Sequence, residues 1–149
     1  MKALLTLALL STVSSAAFSS DYVKANDYSC QIKGNTKAII TLATESFTGE
    51  PQLFISGLES YREHWSTTDL IKTAVGWQAT ANVEYLSDAT KTYTLFVPET
   101  MVKPATPFPV KGLLIITDAG GIMDPEMLEG PIQQNTHLEL ECKANFLNS

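Results

Sequence analysis

Cysteine and histidine are both scarce in this chain of 149 residues, with two of each. A protein metal site groups such side chains a few positions apart. Cys30 and Cys142 instead stand near opposite ends, and His64 and His137 are equally isolated, so no metal is expected. The glycine-based motifs of acyl and phosphoryl chemistry are missing too: there is no G-x-S-x-G, no P-loop and no G-x-G-x-x-G. Gly120-Gly121 follows an apolar run without the third glycine that a dinucleotide turn needs. Glu63 and His64, the nearest approach to an acid–base pair, are adjacent, and neighbours on a strand face opposite ways. The chain therefore reads as a non-enzyme without a cofactor. Positive charge is also short, with 10 Lys and Arg against 16 Asp and Glu, a formal net charge of −6. With no basic stripe, nucleic acid is excluded as a partner, because an acidic surface repels phosphate backbones.

The longest apolar run lies at the amino terminus. Lys2, then residues 3–10 (ALLTLALL), then Ser14-Ser15-Ala16 give the positive, apolar and small-residue regions of a secretory signal peptide. We expect residues 1–16 to be removed, leaving one domain over residues 17–149 with a net charge one unit more negative. No later stretch approaches the 18 or so apolar residues of a spanning helix. The mature chain is thus expected to carry no membrane anchor and to be periplasmic or secreted.

Downstream, the dominant pattern has period two. Tyr28, Cys30 and Ile32 share one face, and a turn at Gly34-Asn35 leads into residues 37–44, rich in β-branched side chains. A second turn at residues 47–51 precedes residues 52–58. From Trp77 to Tyr85 every odd position is apolar and every even one polar, which marks a strand with one dry face and one wet face. Residues 90–98 return from it as a hairpin. Residues 99–109 hold three prolines and read as an extended connector across an end of the fold. Residues 110–117 are apolar on both faces, fitting either a central strand or an edge packed under a loop. Leu138, Leu140, Cys142, Ala144 and Phe146 alternate with polar residues in a last strand. Residues 59–75 are ambiguous, since Thr68-Asp69 before Leu70-Ile71 also resembles a helix start. Asp124-Pro125 with Gly130-Pro131 signals one short helical turn. The surrounding carboxylates, Asp118, Asp124, Glu126 and Glu129, lack the alternate-position spacing of an EF-hand and leave cation binding open.

These signals predict an all-β antiparallel β-barrel or β-sandwich of about seven to eight strands with one short helical turn, closed by one disulfide. Both cysteines fall on dry faces of the first and last strands, and an oxidising compartment favours a Cys30–Cys142 bridge.

For function, the sequence predicts a non-catalytic binding domain whose partner is another protein, engaged through loops at one end. The alternatives are a carrier of a small apolar ligand inside the barrel and a structural subunit of a surface assembly. The candidate binding residues are Ser56, Gly57, Tyr61, Trp65, Trp77 and Tyr85. A protein-binding module would use residues 56–65 and 99–109. A carrier would need a cavity beside Trp77, Ala79 and Ala81, and an assembly subunit an unpaired edge at residues 110–117. Ser56-Gly57-Leu58-Glu59-Ser60-Tyr61 resembles the S-G-x-x-Y stretch of small periplasmic β-barrel inhibitors of lysozyme, and Tyr28-x-Cys30 resembles their strand opening. The tyrosine here comes one residue late, which on a strand turns it to the other face, so family membership is not assigned. What the resemblance implies is an acidic barrel that plugs the cleft of a basic enzyme.

Overall fold

The structure is a computed structural model that describes residues 21–58, 64–84, 90–119 and 133–147. These residues form eleven antiparallel strands and no helix. The main strands are β2 (Asp27–Ile32), β3 (Asn35–Ala43), β4 (Gln52–Ser56), β5 (His64–Thr67), β6 (Asp69–Lys72), β7 (Gly76–Glu84), β8 (Thr90–Pro98), β10 (Phe108–Ala119) and β11 (Gln133–Asn145). Two short strands, β1 (Val23–Lys24) and β9 (Met101–Val102), pair with each other as a separate ribbon.

The main sheet has nine strands in the order β5-β4-β3-β2-β11-β10-β8-β7-β6. Its two outermost strands, β5 and β6, are consecutive in the chain and separated only by Thr68. One stretch thus supplies both edges: its first half pairs with β4 and its second half with β7. The sheet curls on itself as an up-and-down meander. Thr68 carries the join. Its N–H donates to the Pro51 carbonyl at 3.2 Å, and its buried hydroxyl donates to the Thr80 carbonyl at 2.6 Å. Within the ambiguous residues 59–75, the described part thus forms β5 and β6 on either side of Thr68 and then the turn at residues 73–75. The helix-start signal at Thr68-Asp69 is overridden because Leu70 pairs with Ala79 and packs against the core.

The inward positions of the described strands pack together. Tyr28, Cys30, Ile40, Leu42, Leu53, Ile55, Ala79, Ala81, Tyr93, Leu95, Val97, Leu114, Leu140, Cys142 and Ala144 are all buried in one cluster. The hairpin expected over residues 77–98 is present, with Glu84 opposite Thr90 and Gly76 opposite Pro98. Residues 110–117 lie within β10, which pairs with β11 along its length and with β8 from Leu113 onward. From Leu113 that strand is central, with no free edge. Pro109 is accommodated where the β8 side is unpaired. Outer-face residues meet across strands, where Thr92 donates to Asn82 and Thr117 to Asn135, both at 2.8 Å; on the inward face, beyond Tyr93 and Ile116, Lys91 pairs with Asp118 at 3.6 Å.

The disulfide joins Cys30 and Cys142, which sit directly opposite on β2 and β11 with their Cα atoms 3.9 Å apart. The first and last strands of the main sheet are thus bonded from inside. The helical turn expected near Asp124 and the signal peptide at residues 1–16 lie outside the described residues.

Candidate functional site

Strand direction sorts the chain between two ends of the curled sheet. Asp27, Ala43, Gln52, Lys72, Gly76, Pro98, Phe108 and Asn145 all stand at one end, as their register shows. The β1–β9 ribbon crosses the same end, so we call it the ribbon end. It is tied down by Ala25 N–H to the Thr100 carbonyl at 2.7 Å and by Asn26 N–H to the Asn145 carbonyl at 3.0 Å. Val102 of the ribbon and the adjoining Ala25 are buried. The connector expected over residues 99–109 crosses this end over residues 99–107, which include β9, while Phe108 and Pro109 already belong to β10.

Solvent-facing large apolar side chains concentrate here. Phe47 (88% exposed) projects from the β3–β4 loop and Val75 (83%) from the β6–β7 turn. Tyr22, Ile71, Met101, Phe108 and Leu147 are exposed around the same end, and only Ile39 of the exposed large apolar residues described stands elsewhere, on β3. A shallow hollow of about 270 Å³ runs beneath Phe47, lined by Asn26, Ala43, Gln52 and Leu147. Asp27 also lines it, and burial pushes its carboxyl above the ordinary value.

A second hollow, of about 330 Å³, opens between the ribbon and β6. Val23, Ala25, Trp77 and Phe146 provide its apolar wall, and Lys24, Lys72, Asn26, Thr44 and Glu45 its polar one. Glu99 holds both lysines, with Oε1 at 2.9 Å from Lys24 Nζ and 3.2 Å from Lys72 Nζ. Its carboxyl is lowered from the ordinary value by these two partners, and the Lys24 ammonium is raised by Glu99 in return. Lys72 Nζ also stands 5.6 Å from the centre of the Trp77 ring, a cation–π distance. Behind this cluster lies Tyr28, wholly buried. Burial raises its hydroxyl pKa, with Thr100, Glu99 and Trp77 as polar neighbours. Neither the Tyr28 hydroxyl nor the Trp77 indole N–H finds a partner in hydrogen-bond geometry among the described residues.

The residues picked out by sequence do not converge. Ser56 ends β4, Gly57 follows it and Trp65 lies near the start of β5, all toward the opposite end, where β7 and β10 also finish. Gly57 has a structural role: its φ of +70° is left-handed, and a Cβ there would collide with the Lys37 carbonyl. Trp77 lies at the ribbon end, opposite Val97 and Lys72. Tyr61 and Tyr85 lie outside the described residues. Ala79 and Ala81 are packed in the core, and the space near Trp77 opens toward the ribbon instead. Sequence reading missed Lys24, Glu99 and Lys72, which are 27 to 75 positions apart by number and meet only because the ribbon crosses over β6. It also missed Phe47, which reads as part of a turn, and Val75, which ends the ambiguous stretch 59–75. No family model, curated protein or solved structure matches the chain.

Proposed function

We propose that this is an exported, non-catalytic binding domain that engages another protein through the loops of its ribbon end. The observation that supports the reading is the gathering of exposed Phe47, Val75, Ile71, Met101, Phe108, Tyr22 and Leu147 at that one end. An apolar patch rimmed by polar groups is the usual signature of a protein-binding surface, since leaving it in water is unfavourable unless a partner covers it. Residues 99–109, one of the two loop sets expected from sequence, belong to this end. The disulfide fits an oxidising compartment, in keeping with the leader-like residues 1–16.

The test is capture of a defined partner from the exported fraction by the wild-type protein and by a Phe47→Ser, Val75→Ser double variant. Both substitutions sit on exposed loop positions, so the fold should be unchanged by circular dichroism. Retention of the partner by wild type and by an Ile39→Ser control, with loss in the double variant, is the expected result. Equal retention by the double variant would sink the assignment to this end.

A further inference from the structure

We propose that the first half of β11 pairs edge to edge with the same segment of a second copy of this chain, giving a weak two-fold dimer at the end opposite the ribbon. β11 is 13 residues long, and only its last part, Leu140–Asn145, pairs with β2. There β2 ends at Ile32 and turns away through Lys33-Gly34 into β3. Residues 133–139 therefore have β10 on one side and, among the described residues, no strand on the other. Two observations show which backbone groups face the open side. Pro109 has no N–H and stands opposite Lys143, so that pair cannot exchange backbone bonds. On the other flank the Cα atoms of Cys30 and Cys142 are 3.9 Å apart, the closer antiparallel spacing, which also belongs to a pair without backbone bonds. Both place the even-numbered residues of β11 in the ladder with β10 and turn the odd-numbered ones the other way. Gln133, Asn135 and His137 thus offer their N–H and C=O groups to the open side.

Open edges are ordinarily blunted by lysine, proline or a bulge. Residues 133–138 contain no proline and no Lys, Arg, Asp or Glu, and β11 runs along β10 in unbroken register. Asn135, Thr136 and His137 are all exposed. An uncharged segment can face its own copy, because no like charges meet across the two-fold axis. The position of β2 then selects the register. An axis at Thr136 would set Gln133 of one copy opposite Glu139 of the other, end to end with that copy's Ile32 and without room for its turn. With the axis at Asn135, Gln133 lies opposite His137, Asn135 lies opposite itself, and the turn clears. All three are odd-numbered, so each pair exchanges its backbone bonds. About five residues a side is short of the roughly 20–30 of a stable interface, so the dimer is weak.

Sedimentation equilibrium up to about 1 mM protein should show a monomer–dimer equilibrium. Added salt should strengthen it, because each copy carries the same net charge of −6. Over the same range the amide exchange of Asn135 and His137 should slow, while that of Thr136, already bonded to β10, should not change. Asn135→Lys and Asn135→Asp each put like charges at the axis and should weaken the dimer about fivefold, whereas a mixture of the two variants should pair at least as tightly as wild type. His137→Pro removes an N–H that faces only the open side, so it should abolish the dimer and leave the circular dichroism unchanged. A chain that stays monomeric at about 1 mM would overturn the proposal. So would a mixture of the two Asn135 variants that fails to recover the dimer. Slow exchange of Asn135 and His137 at every concentration would overturn it as well, since a segment of the same chain would then hold the edge. The Phe47→Ser, Val75→Ser variant should dimerise like wild type, which keeps this result separate from the test of protein capture.

Discussion

At Gly112 a hydrogen stands where any other residue would carry a side chain, and the disulfide occupies the space that is left. A Cβ built there would lie 2.9 Å from Cys142 Sγ and 3.1 Å from the Phe96 carbonyl oxygen. Gly112→Ala should therefore destabilise the fold by about 1–3 kcal/mol, as overpacking of a full interior does, which chemical denaturation would measure. Asp27 invites the opposite change. Its only resolved perturbation is burial, which raises the folded-state pKa above the unfolded value. The native state therefore binds this proton more tightly, and stability is lost as pH rises from the unfolded pKa through the folded one. Asp27→Asn should raise Tm at pH 7 and leave it nearly unchanged at pH 3, which thermal melts at the two pH values would check. Glu99 has the other sign: its depressed pKa means stability present above the ordinary carboxylate range and lost as pH falls through the folded value. None of these three roles is visible in the sequence, because each depends on a neighbour far along the chain.

Among the elements, the junction of β5 and β6 decides the architecture. A sheet whose edges stay open presents unpaired backbone to solvent and to other chains. Here Thr68 lets one stretch pair with β4 and then with β7, bringing the two edges together. Thr68→Val keeps the shape but deletes the hydroxyl that reaches the Thr80 carbonyl. It should cost about 1–2 kcal/mol, with faster amide hydrogen exchange in β6 and β7 than in the distant β10 and β11. An exchange pattern that rises equally in all strands would show that Thr68 is not a local joint. The alternation of β2, β7, β8 and β11 was readable in advance, since period two with one dry face admits a single register. β5 and β6 were not, because Asp69–Lys72 shows only one partly buried residue, Leu70, and no face repeats long enough to be recognised.

For the molecule as a whole, the Cys30–Cys142 bond joins residues 112 apart in sequence on adjacent strands. In the chain-entropy view a loop of that length restricts the unfolded state enough to stabilise the fold by about 5 kcal/mol. Replacing both cysteines by alanine should lower the denaturation midpoint accordingly, and reduction of the wild-type protein should reproduce the shift only once the core opens, because both sulfurs are buried. A midpoint unchanged by the double substitution would mean that the curled sheet is already held by its packing.

The all-β class, the antiparallel hairpins and the bridge between first and last strands were determined by the sequence itself, through local alternation and the parity of two cysteines. These are properties that neighbours in the chain impose on one another. The curling of one sheet through Thr68, the ribbon over its end, and the meeting of Lys24, Glu99, Lys72, Trp77 and Tyr28 were decided only by tertiary structure. Long-range pairing sets which loops share an end and which charges face each other, and no short window of sequence contains that information.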